Sequence, residues 1–284
     1  MHTSAKKVKK SVSWGQRIVF LFLCIYTIIQ LYPMVWLIFF SLKNNKQIFG
    51  GNALGLPDPA VFENYVVAFE NAKIGTYLVN SVIVTGCTIL IVIVLTTMGA
   101  YAITRLKWKY SNLFLLFITT GMMIPVHAAL LPLFISFSRV GILNTRIALI
   151  LPYVGFALGL STNIMALFFK TIPDELEEAA VIDGCGIGKT FLFVMLPMVK
   201  PAIVTVAIFT YLDAWNELMF ANTFINKAAL KTLTVGIMSL VGEYATSWGP
   251  IGAGLVIATI PSIICYSLVS KRLPDAISSG AVKG

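Results

Sequence analysis

The sequence predicts an all-α, polytopic membrane protein with six transmembrane helices, and three observations carry that prediction. Hydrophobic residues make up 58% of the 284 and charged residues only 12%, where a soluble domain carries roughly a quarter. The apolar residues gather into recurring runs almost free of charge, of the length that marks a membrane helix, about 18 residues or more. Lys and Arg sit at the ends of those runs, where they set membrane orientation. They form no patch interleaved with exposed aromatics, as a nucleic-acid surface requires, so the net charge of +9 implies no nucleic-acid partner.

The predicted spans are 18–42, 78–104, 113–136, 147–169, 198–221 and 251–269. In hydrocarbon every backbone polar group must pair internally, so such runs are helices; a barrel would show short alternating segments, which are absent. The first run follows Lys6, Lys7, Lys9, Lys10 and Arg17, as a signal core would. Ile18 to Leu42 is nevertheless far longer than the roughly 7–15 residues of such a core, and no A-x-A-like site follows. It reads as a retained span. The chain thus divides into a tail at 1–17, a transmembrane domain at 18–269 and a tail at 270–284.

Orientation follows from the 21 Lys and Arg. With the N-terminus inside, 14 of them lie in cytoplasmic segments, Arg105, Lys170 and Lys189 among them, and 7 lie outside, from Lys43 to Lys231. That bias places both termini on the cytoplasmic side of the cell membrane. Cys24, Cys87 and Cys265 lie in apolar runs and Cys185 in a polar loop. None has metal-ligand spacing, and with His2 and His127 the only histidines, no metal site is expected.

Two polar segments remain, an outer loop at 43–77 and an inner one at 170–197. The inner loop holds five of the twelve acidic residues: Asp174, Glu175, Glu177, Glu178 and Asp183. Thr171 to Asp174 and Asp174 to Glu177 are capping-box spacings, and acids suit a first helical turn, so a short helix begins here. Ala179 and Ala180 give it a face without bulk. Gly184, Gly186 and Gly188 predict a bend, and Pro197 and Pro201 mark the return to the membrane. Such a helix-bend-helix suits docking on a partner; the same features also fit an ordinary capped surface loop.

The spacing decides between them by resemblance. Glu178-Ala179-Ala180, three residues, Gly184, nine residues, Val194, one residue, then Leu196-Pro197 resembles the loop of binding-protein-dependent ABC importer permeases. Val194 in place of isoleucine is the one departure. The resemblance implies the type I importer permease fold, and it makes Glu178, Ala179, Ala180, Asp183, Gly184 and Pro197 the element that couples to an ATPase subunit. Gly184 to Thr190 also ends in Gly-Lys-Thr, as a phosphate-binding loop does, but Asp183 stands where that pattern needs its first glycine and no strand precedes it. No cofactor is therefore expected on this chain; ATP with magnesium belongs to partner ATPases.

Asn64-Tyr65, Asn80-Ser81, Ala100-Tyr101-Ala102 with Arg105, Pro125, Pro132-Leu133, Trp215-Asn216-Glu217 and the closing Gly280-Ala281-Val282-Lys283-Gly284 are similar to permeases of the maltose and multiple-sugar type. They match the shorter, six-span member of a heterodimeric pair. This implies a second permease, two ATPases, an external solute-binding protein and a sugar substrate, an oligosaccharide being favoured. It also makes Gly280, Lys283 and Gly284 a second ATPase contact, although Asp275 to Ser279 departs from the usual glycine-rich run.

For a transport path the intramembrane polar groups are the pointers. Asp213 and Glu217 lie four apart with Asn216 beside them, and a charge at a helix centre costs roughly 2.5–3.5 kcal/mol on the insertion scale. They should face protein or a water-filled cavity, with Trp215 an aromatic plane suited to a sugar ring. Alternatively, Glu217 is hydrated at the span's outer end and Trp215 anchors at the interface. His127, between Pro125 and Pro132, marks either a kink or a functional histidine. Gly155 and Gly159 suit close helix packing within the chain. The function expected is a non-enzymatic permease subunit. The alternatives are an ion-coupled transporter using Asp213 and Glu217, or an ABC permease for a non-sugar solute.

Overall fold

The computed structural model describes residues 14–106, 108–241 and 246–269. Its elements run α1 (Trp14–Ser41), α2 (Asn45–Phe49), α3 (Glu63–Glu70), α4 (Ile74–Arg105), α5 (Ser111–Gly121), a 3₁₀ turn (Val126–Ala129), α6 (Leu130–Arg139) and α7 (Ile147–Thr171). They continue through α8 (Glu175–Ile182), α9 (Ile187–Lys189), a π-helical turn (Thr190–Met195), α10 (Leu196–Met198), α11 (Lys200–Asn216) and α12 (Met219–Phe224). A 3₁₀ turn (Ala228–Leu230), α13 (Leu233–Met238) and α14 (Trp248–Val269) complete the described chain.

α1, α4, α7 and α14 are each long and apolar enough to cross a membrane alone. Two bent pairs, Ser111–Gly121 with Val126–Arg139 at 86° and Ile187–Met198 with Lys200–Asn216 at 74°, bring the number to six if each pair forms one span. The expected continuous spans at 113–136 and 198–221 are therefore corrected. In the first, Pro125 has no N–H to continue the ladder and disfavours helical geometry at Ile124. In the second, α11 starts at Lys200 and stops at Asn216.

The centre is α4, at 32 residues about 48 Å long by helical rise. It packs along α7 and against α11. Its buried face carries Val84, Thr88, Val92, Thr96, Thr97 and Ala100. Thr88, Thr96 and Thr97 donate to the carbonyls of Val84, Val92 and Ile93 at 2.7–2.8 Å, which lets polar side chains sit in an apolar span. One core cluster joins α4, α7 and α11 around Val92, Met165, Phe169 and Val206; another gathers Val84, Leu149, Phe220 and Phe224.

At the Ile74 end of α4 the connections are stapled by amides. Asn80 Nδ2 donates to the carbonyls of Ala229 at 2.8 Å and Lys231 at 3.0 Å, and its Oδ1 accepts from Arg146 at 2.8 Å. Ser81 Oγ accepts from the Leu233 N–H at 2.8 Å. Asn64 Nδ2 reaches the Ser41 and Lys43 carbonyls at 2.8 and 2.9 Å. Lys43 is fully buried, donating to the carbonyls of Asn52 at 2.6 Å and Ala53 at 3.1 Å, and burial holds its ammonium pKa below the usual lysine value.

Candidate functional site

At the opposite end of α4 the 172–198 loop folds as a helix, a bend and a return. α8 ends in a glycine cap. Asp183 closes the helix, Gly184 takes φ +79°, its N–H donates to Val181 at 3.0 Å, and the Cys185 N–H donates to Ala180 at 2.9 Å. This is a Schellman motif, whose left-handed residue favours glycine. The spacing from Glu178 to Gly184 thus has a local reason: one more turn of helix and then a forced reversal. Pro197 lies within α10 and Pro201 in the first turn of α11, on either side of the 74° bend.

The expected capping boxes do not form. Asp174 makes no side-chain cap, and the Thr171 hydroxyl donates to the Phe168 carbonyl at 2.8 Å. The reason is Arg105 at the end of α4. Its NH1 donates to Asp174 Oδ1 at 2.6 Å and its NH2 to the Ile172 carbonyl at 3.0 Å. Its Nε lies 3.1 Å from Glu177 Oε2, too far off line to be a hydrogen bond. The Asp174 carboxylate is taken by a charged guanidinium in place of the backbone N–H groups of the first turn. The Arg105 side chain is only 7% exposed. Tyr101, one turn back and beside Glu177, packs between Phe169 at 5.7 Å and Phe191 at 5.1 Å.

Besides acids, α8 leaves an apolar tip uncovered. Val181, Ile182 at 85% exposure, and Ile187 stand open, with Glu178, Ala179, Asp183 and Gly184 exposed around them and Ala180 buried as α8 packs against the π turn. The exposed isoleucines were not among the residues expected to matter, and Arg105 stood out only through the resemblance, not as the anchor of α8. The Val181-Ile182 pair just before the cap glycine was a signal for the first. Nothing local announces the second, since Arg105 and Asp174 lie 69 residues apart.

The intramembrane residues separate. His127, Asp213, Asn216 and Glu217 line one cavity of about 480 Å³ with Thr88 and Tyr153, where the 3₁₀ turn after the first span's break faces the end of α11 and the start of α12. Glu217 is fully engaged: its carboxylate accepts from the N–H groups of Phe220 at 2.8 Å and Ala221 at 3.0 Å and from the Tyr153 hydroxyl at 2.5 Å. It caps α12, which explains why α11 stops. It is neither free nor simply hydrated. Asp213 is exposed toward the cavity, and no hydrogen bond or ion pair engages it among the described residues. Trp215 turns away, 5% exposed, with its Nε1 donating to Ala258 of α14 at 3.3 Å and its ring stacked on Tyr211 at 5.4 Å. The plane expected for a sugar ring is packed inside the chain. The His127 ring lies 6.2 Å from Phe220. Gly159 packs so closely on Met122 that a Cβ would sit 2.3 Å from its Cγ, whereas Gly155 faces open space in an apolar groove. Gly280, Lys283 and Gly284 lie outside the described residues.

Helices of membrane-spanning length, a cavity lined by His127, Asp213 and Glu217 between the first span's break and the end of α11, and an apolar-tipped loop helix define a multi-pass membrane transport component. Residues 95–279 match the family described as binding-protein-dependent transport system inner membrane component, and the chain belongs to that family. It is 37% identical to the probable ABC transporter permease protein YurM of Bacillus subtilis (strain 168), covering 95% of this chain and 89% of that one. To the diacetylchitobiose uptake system permease protein NgcG of Streptomyces coelicolor it is 34% identical, over 92% and 87%. Its fold is similar, with a TM-score of 0.81 at 22% identity, to a chain of a bacterial ABC transporter involved in importing the acidic polysaccharide alginate, covering 93% of this chain and 99% of that one.

Proposed function

We propose that the chain is the permease subunit of a sugar importer, and that α8 is where ATP hydrolysis on separate ATPase subunits is felt. The observation that carries this is the exposed Val181 and Ile182 on a helix whose other end is fixed by Arg105, with Ile187 exposed at the start of α9 after the reversal. An apolar tip on a rigid base suits insertion into a cleft of another protein. Glu178, Ala179, Asp183 and Gly184 frame the tip, and Pro197 hinges the return. The Lys and Arg bias puts this loop and both termini in the cytoplasm. A second permease completes the path, a solute-binding protein delivers the sugar from outside, and Gly280, Lys283 and Gly284 add a further ATPase contact. ATP and magnesium stay on the ATPases.

The saccharides named for NgcG and for the alginate transporter favour a carbohydrate cargo. The unengaged Asp213 carboxylate, with Asn216 and His127, offers acceptors and donors suited to hydroxyl groups. Membrane vesicles carrying the chain with its neighbouring gene products test the reading. Substrate should stimulate ATP hydrolysis, and Gly184→Val, which forces a β-branched residue to φ +79°, should cut uptake about tenfold or more. A left-handed non-glycine residue costs roughly 1–2 kcal/mol. Uptake by the chain alone, driven by an ion gradient, would instead establish ion coupling.

A further inference from the structure

The tip of α8 is the proposed ATPase contact; its base carries a separate inference, which rests on that reading. The base is tied to a helix remote in sequence. Arg105 meets Asp174, Glu177 and the Ile172 carbonyl together, so the chain entering α8 is fastened to the end of α4 as well as to α7 by covalent connection. The Tyr101 ring between Phe169 and Phe191 clamps the two sides of the loop against the same turn of α4. From there α4 runs without a break past Thr88 in the cavity wall. It ends at the amide staple, where Asn80 holds the Ala229 and Lys231 carbonyls and Arg146. The alternative route, through the loop's own continuation into α11, crosses a π turn and a 74° bend. Irregular turns absorb displacement, whereas a continuous, well-packed helix passes it on.

We infer that Arg105 is the positioning residue that transmits motion of α8 to α4, so that α4, and not the α10–α11 connection, is the rod from ATPase to cavity and far end. Arg105 touches neither ATP nor sugar. Its guanidinium suits the task because it engages two carboxylates and a carbonyl at once in a fixed fork, which a lysine cannot reproduce. Glu177, only 20% exposed beside it, is the ion-pair partner less screened by water; Asp174, at 62% exposure, is hydrogen-bonded to it but more screened.

The test uses the full importer complex in proteoliposomes, reading ATP hydrolysis and uptake in the same sample. In Arg105→Gln and, as a milder second variant, Glu177→Gln, the ATPase should still copurify and hydrolyse ATP, while sugar taken up per ATP falls about tenfold. Arg105→Lys should restore the ratio only in part, and the exchange Arg105→Glu with Glu177→Arg should restore it above either single change. An unchanged uptake-to-ATP ratio in both glutamine variants would overturn the assignment. So would loss of the ATPase from both, which would make the arginine a docking or folding residue only. Wild-type complex showing no ATP-dependent uptake would instead defeat the permease reading itself.

Discussion

Two regions of this chain interrupt its membrane helices, and they resolve the interruption in opposite ways. At the 172–198 loop, one cation is turned inward, Arg105 onto Glu177 and Asp174, and apolar side chains, Val181, Ile182 and Ile187, are left out beside the exposed acids Glu175, Glu178 and Asp183. At the broken-helix cavity, the apolar and aromatic side chains are turned inward, Phe220, Phe224 and Trp215 all buried, and a carboxylate is left out, Asp213. In each region one acid holds the break together: Glu177 through Arg105, and Glu217 through Tyr153 and the first N–H groups of α12. What remains free then defines the partner. An exposed apolar tip is satisfied by another protein; an unengaged carboxylate in a polar cavity is satisfied by hydroxyls or water.

The contrast between Glu217 and Asp213 can be broken by changing one carboxylate at a time. Glu217→Ala leaves the N–H groups of Phe220 and Ala221 and the Tyr153 hydroxyl without their acceptor. Unsatisfied buried groups cost about 1–3 kcal/mol each, so thermal unfolding in detergent should show a clear drop in midpoint. Asp213→Asn should leave that midpoint within about 0.5 kcal/mol of wild type but raise the KM for uptake about tenfold, the worth of roughly one hydrogen bond to a charged group. If the two variants exchange phenotypes, the division between structural and path acid is wrong. Trp215→Phe keeps an aromatic ring but loses the bond to Ala258 and part of a buried indole. Its expected effect on transport is the smallest, with about 1–3 kcal/mol of stability lost and the uptake KM unchanged; a changed KM would return Trp215 to the path.

Composition and run length made the helical membrane fold legible, because hydrocarbon leaves a run of apolar residues few alternatives to helix. Span ends were less legible where polar side chains compete with the ladder. Residues 217–221 read as a continuation of the fifth span because four of the five, Leu218 to Ala221, suit one, but the Glu217 carboxylate takes the N–H groups that would begin another turn. The loop glycine was legible because a left-handed cap has a strong local preference. Its acidic first turn misled for the same local reason: Asp174 and Glu177 look like caps until Arg105 arrives from α4. Asn64-Tyr65 and Asn80-Ser81 were read by resemblance alone, and each closes bonds across 21 to 152 residues, which spacing within a segment cannot show.

The most direct test of the central claim is the exposed tip itself. Ile182 is 85% exposed, so Ile182→Asp disturbs no packing within the chain and should leave the unfolding midpoint of the membrane subunits unchanged. When the complex is purified through this chain, the account predicts that the wild-type permease retains its ATPase and that Ile182→Asp loses most of it, with uptake falling more than about tenfold, as for a hot-spot residue. Full ATPase retention with wild-type uptake in Ile182→Asp would contradict the assignment of α8 as the docking helix.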